Sequence, residues 1–153
     1  MANSDSFPDN CAVVVSSFDG FVDLWHPFFT LLFRHWPDCP FPIYLISNTK
    51  EYFDPRVTTI NIGEDKQWAS NLLIALEQIS AKYILYMQDD YFLQSKVDTG
   101  YLQKLVEYAK QHHIACLRLF PEPAPDASFE NNLGLGLIAP GAPYRVSLQS
   151  DDI

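Results

Sequence analysis

From Tyr83 to Met87 the chain is unbroken apolar, and it turns abruptly polar at Gln88, Asp89 and Asp90. A short apolar run without alternation predicts a strand buried on both faces, as in a parallel sheet covered by helices. In open parallel sheets, ligands bind just beyond the carboxyl ends of the strands. Two adjacent carboxylates therefore fall where a ligand would sit. Side by side they repel by about 1 kcal/mol in water and roughly 4 kcal/mol near a protein surface. A hard cation held through oxygen atoms would relieve that repulsion. An Asp-rich surface turn or helix cap accounts for the same residues.

Other segments share this design. Ala12 to Phe18 reads as a first buried strand and ends in Asp19-Gly20. Phe41 to Ser47 reads as a second, followed by Asn48, and Val57 to Ile62 as a third, followed by Gly63. Between them, Pro27 suits the first turn of a helix that presents Phe28, Leu31, Leu32 and Phe33 and stops at Pro37. A second helix is expected from about Lys66 to Ser80, with Ala69, Leu72, Leu73, Leu76 and Ile79 on one face. Asp98 or Thr99 would cap a third, carrying Tyr101, Leu102, Leu105, Val106 and Tyr108. Two further strands are expected at Ile114 to Phe120 and Tyr144 to Gln149, separated by a Pro-rich loop. Strands alternating with helices indicate an α/β fold, with a Rossmann-like, mostly parallel sheet flanked by helices. Ser17, Asp19, Asn48, Glu64, Asp65, Asp89 and Asp90 then gather along one edge, and a helix N-terminus there can receive a phosphate.

A chain of 153 residues is the size of one domain, and 48% hydrophobic residues suffice for a core. Ten basic against nineteen acidic residues give a net charge of −9, which disfavours nucleic acid and anionic membranes. Cys11, Cys39 and Cys116 form no CxxC pair, and the reading is buried thiols in a reducing compartment. The start of the chain lacks a basic and apolar leader, and the most apolar stretch, Phe21 to Trp36, is interrupted by charges and Pro27. A cytoplasmic protein without a membrane span is expected.

Several chemistries lack their motif. There is no GxxxxGK[ST] loop, no dinucleotide glycine fingerprint, no HExxH and no GxSxG. His112 and His113 suit a solvated helix end, and His26 and His35 flank the first helix. A receiver-type phosphotransfer domain would want an acidic pair after its first strand, where Asp19 stands alone.

The order of segments resembles the nucleotide-binding part of a GT-A glycosyltransferase. Tyr83 to Leu93 resembles the strand and acidic motif of that family, usually Asp-x-Asp, here Gln88-Asp89-Asp90. Val13 to Asp19 is similar to the strand and loop that meet the nucleoside, Asp65 to Asn71 to the helix start over the nucleotide, and Tyr144 to Gln149 to a later strand. The resemblance implies a GT-A-like three-layer sandwich spanning residues 1–153. It also implies a metal-dependent transfer of sugar from a nucleoside-diphosphate sugar to a saccharide or other hydroxyl acceptor. By position Asp90 would hold Mg²⁺ or Mn²⁺ and Asp89 would face the ribose or sugar, with Ser17, Asp19, Asn48 and Trp68 shaping the nucleoside pocket. From its own residues Trp68 reads as core in preference to pocket. No catalytic base is assigned. The family's acceptor region would be missing after Gln149, to be supplied by a partner chain or a longer reading frame; a homo-oligomer is the other partner expectation. The alternative is a non-catalytic nucleotide- or nucleotide-sugar-binding module, or an inactive shortened member.

Overall fold

The computed structural model describes residues 10–120, 122–128 and 131–146. The chain divides into two compact units, Met1–Gly100 and Tyr101–Ile153. In the first, β1 (Cys11–Ser16), β2 (Ile43–Ser47), β3 (Val57–Asn61) and β4 (Tyr83–Gln88) form one sheet in the order β3-β2-β1-β4. Every pairing is parallel: Val13 lies opposite Ile43 on one side and Leu85 on the other, and Ile43 opposite Val57. This is the α/β, Rossmann-like sheet the sequence predicts.

Two helices complete the layers. The crossover from β1 to β2 runs through α1 (Val22–His35), and that from β3 to β4 through α2 (Trp68–Leu76). The two crossovers travel in opposite directions across the sheet. Since both must be right-handed, their helices fall on opposite faces. The period of two in the strands serves both. Ala12, Val14, Ile46, Ile60 and Ile84 cluster with Leu72, Ala75, Leu76 and Ile79 from α2 and the turn after it. Val13, Val15 and Leu45 point the other way, where α1 buries Trp25, Phe28, Phe29 and Leu32 at helical spacing.

Pro27 lies inside α1 instead of opening it. A proline in a helix interior costs about 3 kcal/mol. The preceding turn exists because it buries Trp25 beside Phe28 and Phe29, and full burial of each such side chain contributes roughly 1.5–3 kcal/mol. Phe29 is at the centre of an aromatic stack, 4.6 Å from the Tyr52 ring and 6.0 Å from Phe33. Arg56 caps the stack, 3.4 Å over Phe33, and its guanidinium is held by both carboxylate oxygens of Asp54 at 2.8 and 2.6 Å.

Several expectations need correction. β4 is half-buried at every residue, not buried on both faces, because it ends the described sheet and has one neighbour. Ile114 to Phe120 forms no strand. Leu119 and Phe120 are exposed, and Arg118 is half-buried. An apolar run supplies one half of a strand pairing, and the described residues offer this one no second half. Pro143–Val146 is a 3-10 turn where a strand was expected, and residues 147–149 lie outside the described residues. The second helix is shorter than predicted. Of the cysteines, Cys11 is buried, Cys39 half-buried and Cys116 exposed. Burial pushes the Cys11 thiol up to about 11, so it stays protonated and inert.

The second unit holds α3 (Thr99–Gln111) from Tyr101 onward, and an antiparallel pair of two-residue strands, β5 (Ala127–Ser128) and β6 (Gly136–Leu137). Gly136 is required there, since a Cβ would come 2.4 Å from Pro125 Cγ. Among the described residues, no helix is long and apolar enough to cross a membrane.

The aromatic stack makes a direct prediction. Phe29→Ala is expected to destabilise the protein by about 3–5 kcal/mol in urea unfolding. Phe53→Ser, at a side chain 89% exposed, should change stability by less than about 0.5 kcal/mol.

Candidate functional site at the carboxyl edge of the sheet

The strand order reverses at β1, whose neighbours β2 and β4 are reached by crossovers on opposite faces. Open α/β sheets form their ligand crevice at such a switch point. Here that switch point lies between the ends of β1 and β4, where Ser16 and Gln88 are the last paired residues. Beyond them a side-chain link takes over. The Ser17 hydroxyl donates to Asp89 Oδ2 and receives the indole N–H of Trp25 at 2.7 Å. Asp89 is buried. Burial pushes its carboxyl above the usual range and the neighbouring charge of Asp90 adds to that, while the bond from Ser17 opposes it. Asp90 is exposed, and its carboxylate accepts no hydrogen bond among the described residues.

Asp19 has the opposite surroundings. It opens a 3-10 turn, Asp19–Phe21, that leads into α1. Its Oδ1 accepts the Ser47 hydroxyl at 2.8 Å and the amides of Asn48, Thr49 and Lys50 at 3.0–3.2 Å. Its Oδ2 accepts the Thr49 hydroxyl at 2.6 Å. Partial burial acts to raise this carboxyl, but the donors from Thr49, Ser47 and Lys50 outweigh it and hold Asp19 well below the ordinary carboxylate range. Successive amides around an anion form a nest, and this one is filled by the chain's own carboxylate. Asp19 therefore ties β1 to β2 and presents no free oxygen pair to a nucleoside. Asn48 extends the tie: its Oδ1 accepts the Asp19 amide at 3.1 Å, and its Nδ2 donates to the Gly63 carbonyl at 3.1 Å.

Trp68 is no core residue. It is 46% exposed at the first position of α2, with its indole N–H donated to the Tyr86 hydroxyl at 2.7 Å. The loop before it is fixed by Asp65, which accepts the Gln67 amide at 2.9 Å and the Asn71 side chain at 2.7 Å. Gln67 adopts φ 73°, ψ 157°, a region nearly reserved for glycine that costs another residue about 1–3 kcal/mol.

The structure thus brings Ser17 to Asp89 and Asp19 to Asn48, and it places Trp68 against β4 through Tyr86. Sequence reasoning missed Trp25, which precedes the helix expected to open at Pro27 and belongs in fact to α1. It also missed Thr49 and Lys50, whose backbone amides no side-chain pattern advertises, and the Thr49 hydroxyl that joins them on Asp19. A hollow of about 400 Å³ lined by Asp38, Lys96, Val97, Asp98, Thr99 and Gly100 shares none of these residues.

The chemistry available is narrow. Among the described residues, no three His, Cys, Asp or Glu side chains converge as a metal cage. A single exposed carboxylate suits instead a cation of the Mg²⁺ type, which keeps several waters and is completed by substrate phosphates.

Three outcomes are expected. Asp19→Ala should cost about 1–3 kcal/mol, because the donors around the lost carboxylate are left unpaired. Its pH dependence follows from the sign of the shift. A depressed carboxyl contributes stability that is present above the unfolded value of about 3.9 and lost as pH falls toward the folded one. Asp19→Asn should accordingly flatten the loss of stability below about pH 4 in acid-unfolding curves. Gln67→Gly should relieve the strained backbone and stabilise by up to about 1 kcal/mol after the entropy cost of glycine, measured by thermal unfolding. Compared with known proteins, the chain matches no family model, no curated protein and no solved structure.

Proposed function

We propose that this chain binds a nucleoside-diphosphate sugar and belongs to a metal-dependent glycosyltransferase. The observation that carries the reading is Asp90, an exposed carboxylate without a hydrogen bond among the described residues, at the end of β4 beside the switch point. Asp90 would hold Mg²⁺ or Mn²⁺. When bound, such an ion neutralises the charge that develops on a diphosphate leaving group.

The chain's own residues do the rest. Asn48 and Asp19 fix the loops after β1, β2 and β3 as one frame, so the floor of the site needs little reordering on binding. The exposed face of Trp68 borders the start of α2, where free amides favour phosphate. Asp89 is a buried strut. A cytoplasmic setting agrees with the unpaired thiols of Cys11 and Cys39.

A second reading, binding without transfer, has one observation in its favour. The carboxylates of Asp19, Asp65 and Asp89 all accept hydrogen bonds from the chain. Asp89 is buried and both oxygens of Asp19 are engaged, so neither is placed to deprotonate an acceptor hydroxyl, and Asp65 is occupied at Oδ1 by its own loop.

Calorimetry with a panel of nucleoside diphosphates decides the matter. Binding should strengthen at least tenfold with Mn²⁺, and Asp90→Asn should remove most of that gain, about 1.4 kcal/mol or more. Equal, metal-independent binding by wild type and Asp90→Asn would overturn the metal role. Release of nucleoside diphosphate from a donor sugar in the presence of acceptors separates transfer from binding alone.

A further inference from the structure

The link between Trp25, Ser17 and Asp89 joins three elements by hydrogen bonds alone. Trp25 comes from α1 and is 1% exposed; Asp89 follows β4 and is 4% exposed. Ser17 lies between them in the first residue after β1. A hydroxyl carries one proton and two acceptor sites. The Ser17 proton has two acceptors within reach, Asp89 Oδ2 and, more distantly, the Phe18 carbonyl at 3.4 Å. The indole N–H enters at 2.7 Å and occupies one acceptor site of the oxygen. It thereby fixes the oxygen and leaves the proton directed at Asp89. The ladder between β1 and β4 ends at Ser16 and Gln88, and the next turn is closed by the Tyr91 amide on the Gln88 carbonyl at 3.2 Å. Asp90 is inside that turn, adjacent to the anchored Asp89.

We propose that Trp25 is a positioning residue: acting through Ser17, it anchors Asp89 and so sets the placement of the turn that presents Asp90. The value of a fixed Asp90 rests on the cation-binding reading above. The hydrogen-bonded chain does not, and it is tested without metal or nucleotide.

The experiment is a double-mutant cycle between Trp25→Phe and Asp89→Ala, run in the wild type and again with Ser17→Ala. Phenylalanine keeps most of the packing and removes the N–H. The two positions are bridged by Ser17, so a coupling of fivefold or more in the folded-to-unfolded ratio is expected, and it should vanish in the Ser17→Ala background. Backbone amide resonances of Asp90 and Tyr91 should shift in both Trp25→Phe and Ser17→Ala and return toward wild type in Ser17→Thr, which restores a hydroxyl. Should Asp89→Ala fail to fold, Asp89→Val closes the same cycle, since it cannot accept a hydrogen bond either. Additive effects of Trp25→Phe and Asp89→Ala, or Asp90 and Tyr91 resonances unmoved by the loss of the indole N–H, overturn the proposal. Loss of Mn²⁺-dependent nucleotide binding in the wild type would count against the cation reading and leave the cycle to decide this one.

Discussion

The central strand β1 is the constraint on which the first unit depends. Cys11 to Val15 are all buried, with parallel neighbours on both sides and a helix over each face. Such a strand admits no polar side chain along its length, so polarity is displaced to its ends. It also fixes direction. Once β2 and β4 run parallel to it, their carboxyl ends and the starts of α1 and α2 must share one edge. The collection of Ser17, Asp19, Asn48, Trp68, Asp89 and Asp90 near that edge follows from topology before any question of function arises.

What the edge does with its polar groups is less uniform than their clustering suggests. Backbone amides beyond β2 have lost their ladder partners, and Asp19 supplies an anion to three of them. Beyond β1 and β4 the loss is met by Ser17 and Asp89. Asn48 closes the gap to β3. The same physical need, that buried polar groups find partners, converts two of the acidic residues at this edge, Asp19 and Asp89, into ties between strands. Asp90 differs from its buried neighbour Asp89 because it is exposed, and exposure removes the need.

Much of this was legible in the sequence, for stated reasons. The runs Ala12 to Val15, Ile43 to Ile46 and Tyr83 to Met87 have no alternation, the mark of strands in a sheet covered by helices. Helix-length spacers then imply parallel pairing. The polar residues after each run marked the edge correctly. Burial of β4 was overestimated because a run cannot tell whether its strand has neighbours on two sides or one. The segment Ile114 to Phe120 misled in the same way. The two tryptophans departed from expectation: Trp68, taken as a core candidate, is exposed, and Trp25, left outside the helix expected from Pro27, is buried in α1 and reaches a serine at the end of β1. Side-chain hydrogen bonds across 72 residues of sequence, such as Ser17 to Asp89, leave no periodic trace.

The Lys50 ammonium, one of ten basic groups in a chain of net charge −9, points at the Asp19 carbonyl at 3.1 Å. Lys50 is exposed there, but ten basic groups do not offset nineteen acidic ones. The molecule as a whole repels anions, and no long-range steering draws a phosphate toward this edge. For an anionic ligand the consequence is kinetic. Encounter would be slower than for a neutral ligand of the same size, and added salt, by screening the repulsion over a Debye length of about 8–10 Å, would accelerate association. Most anion-binding clefts, which attract their ligands, respond to salt in the opposite direction.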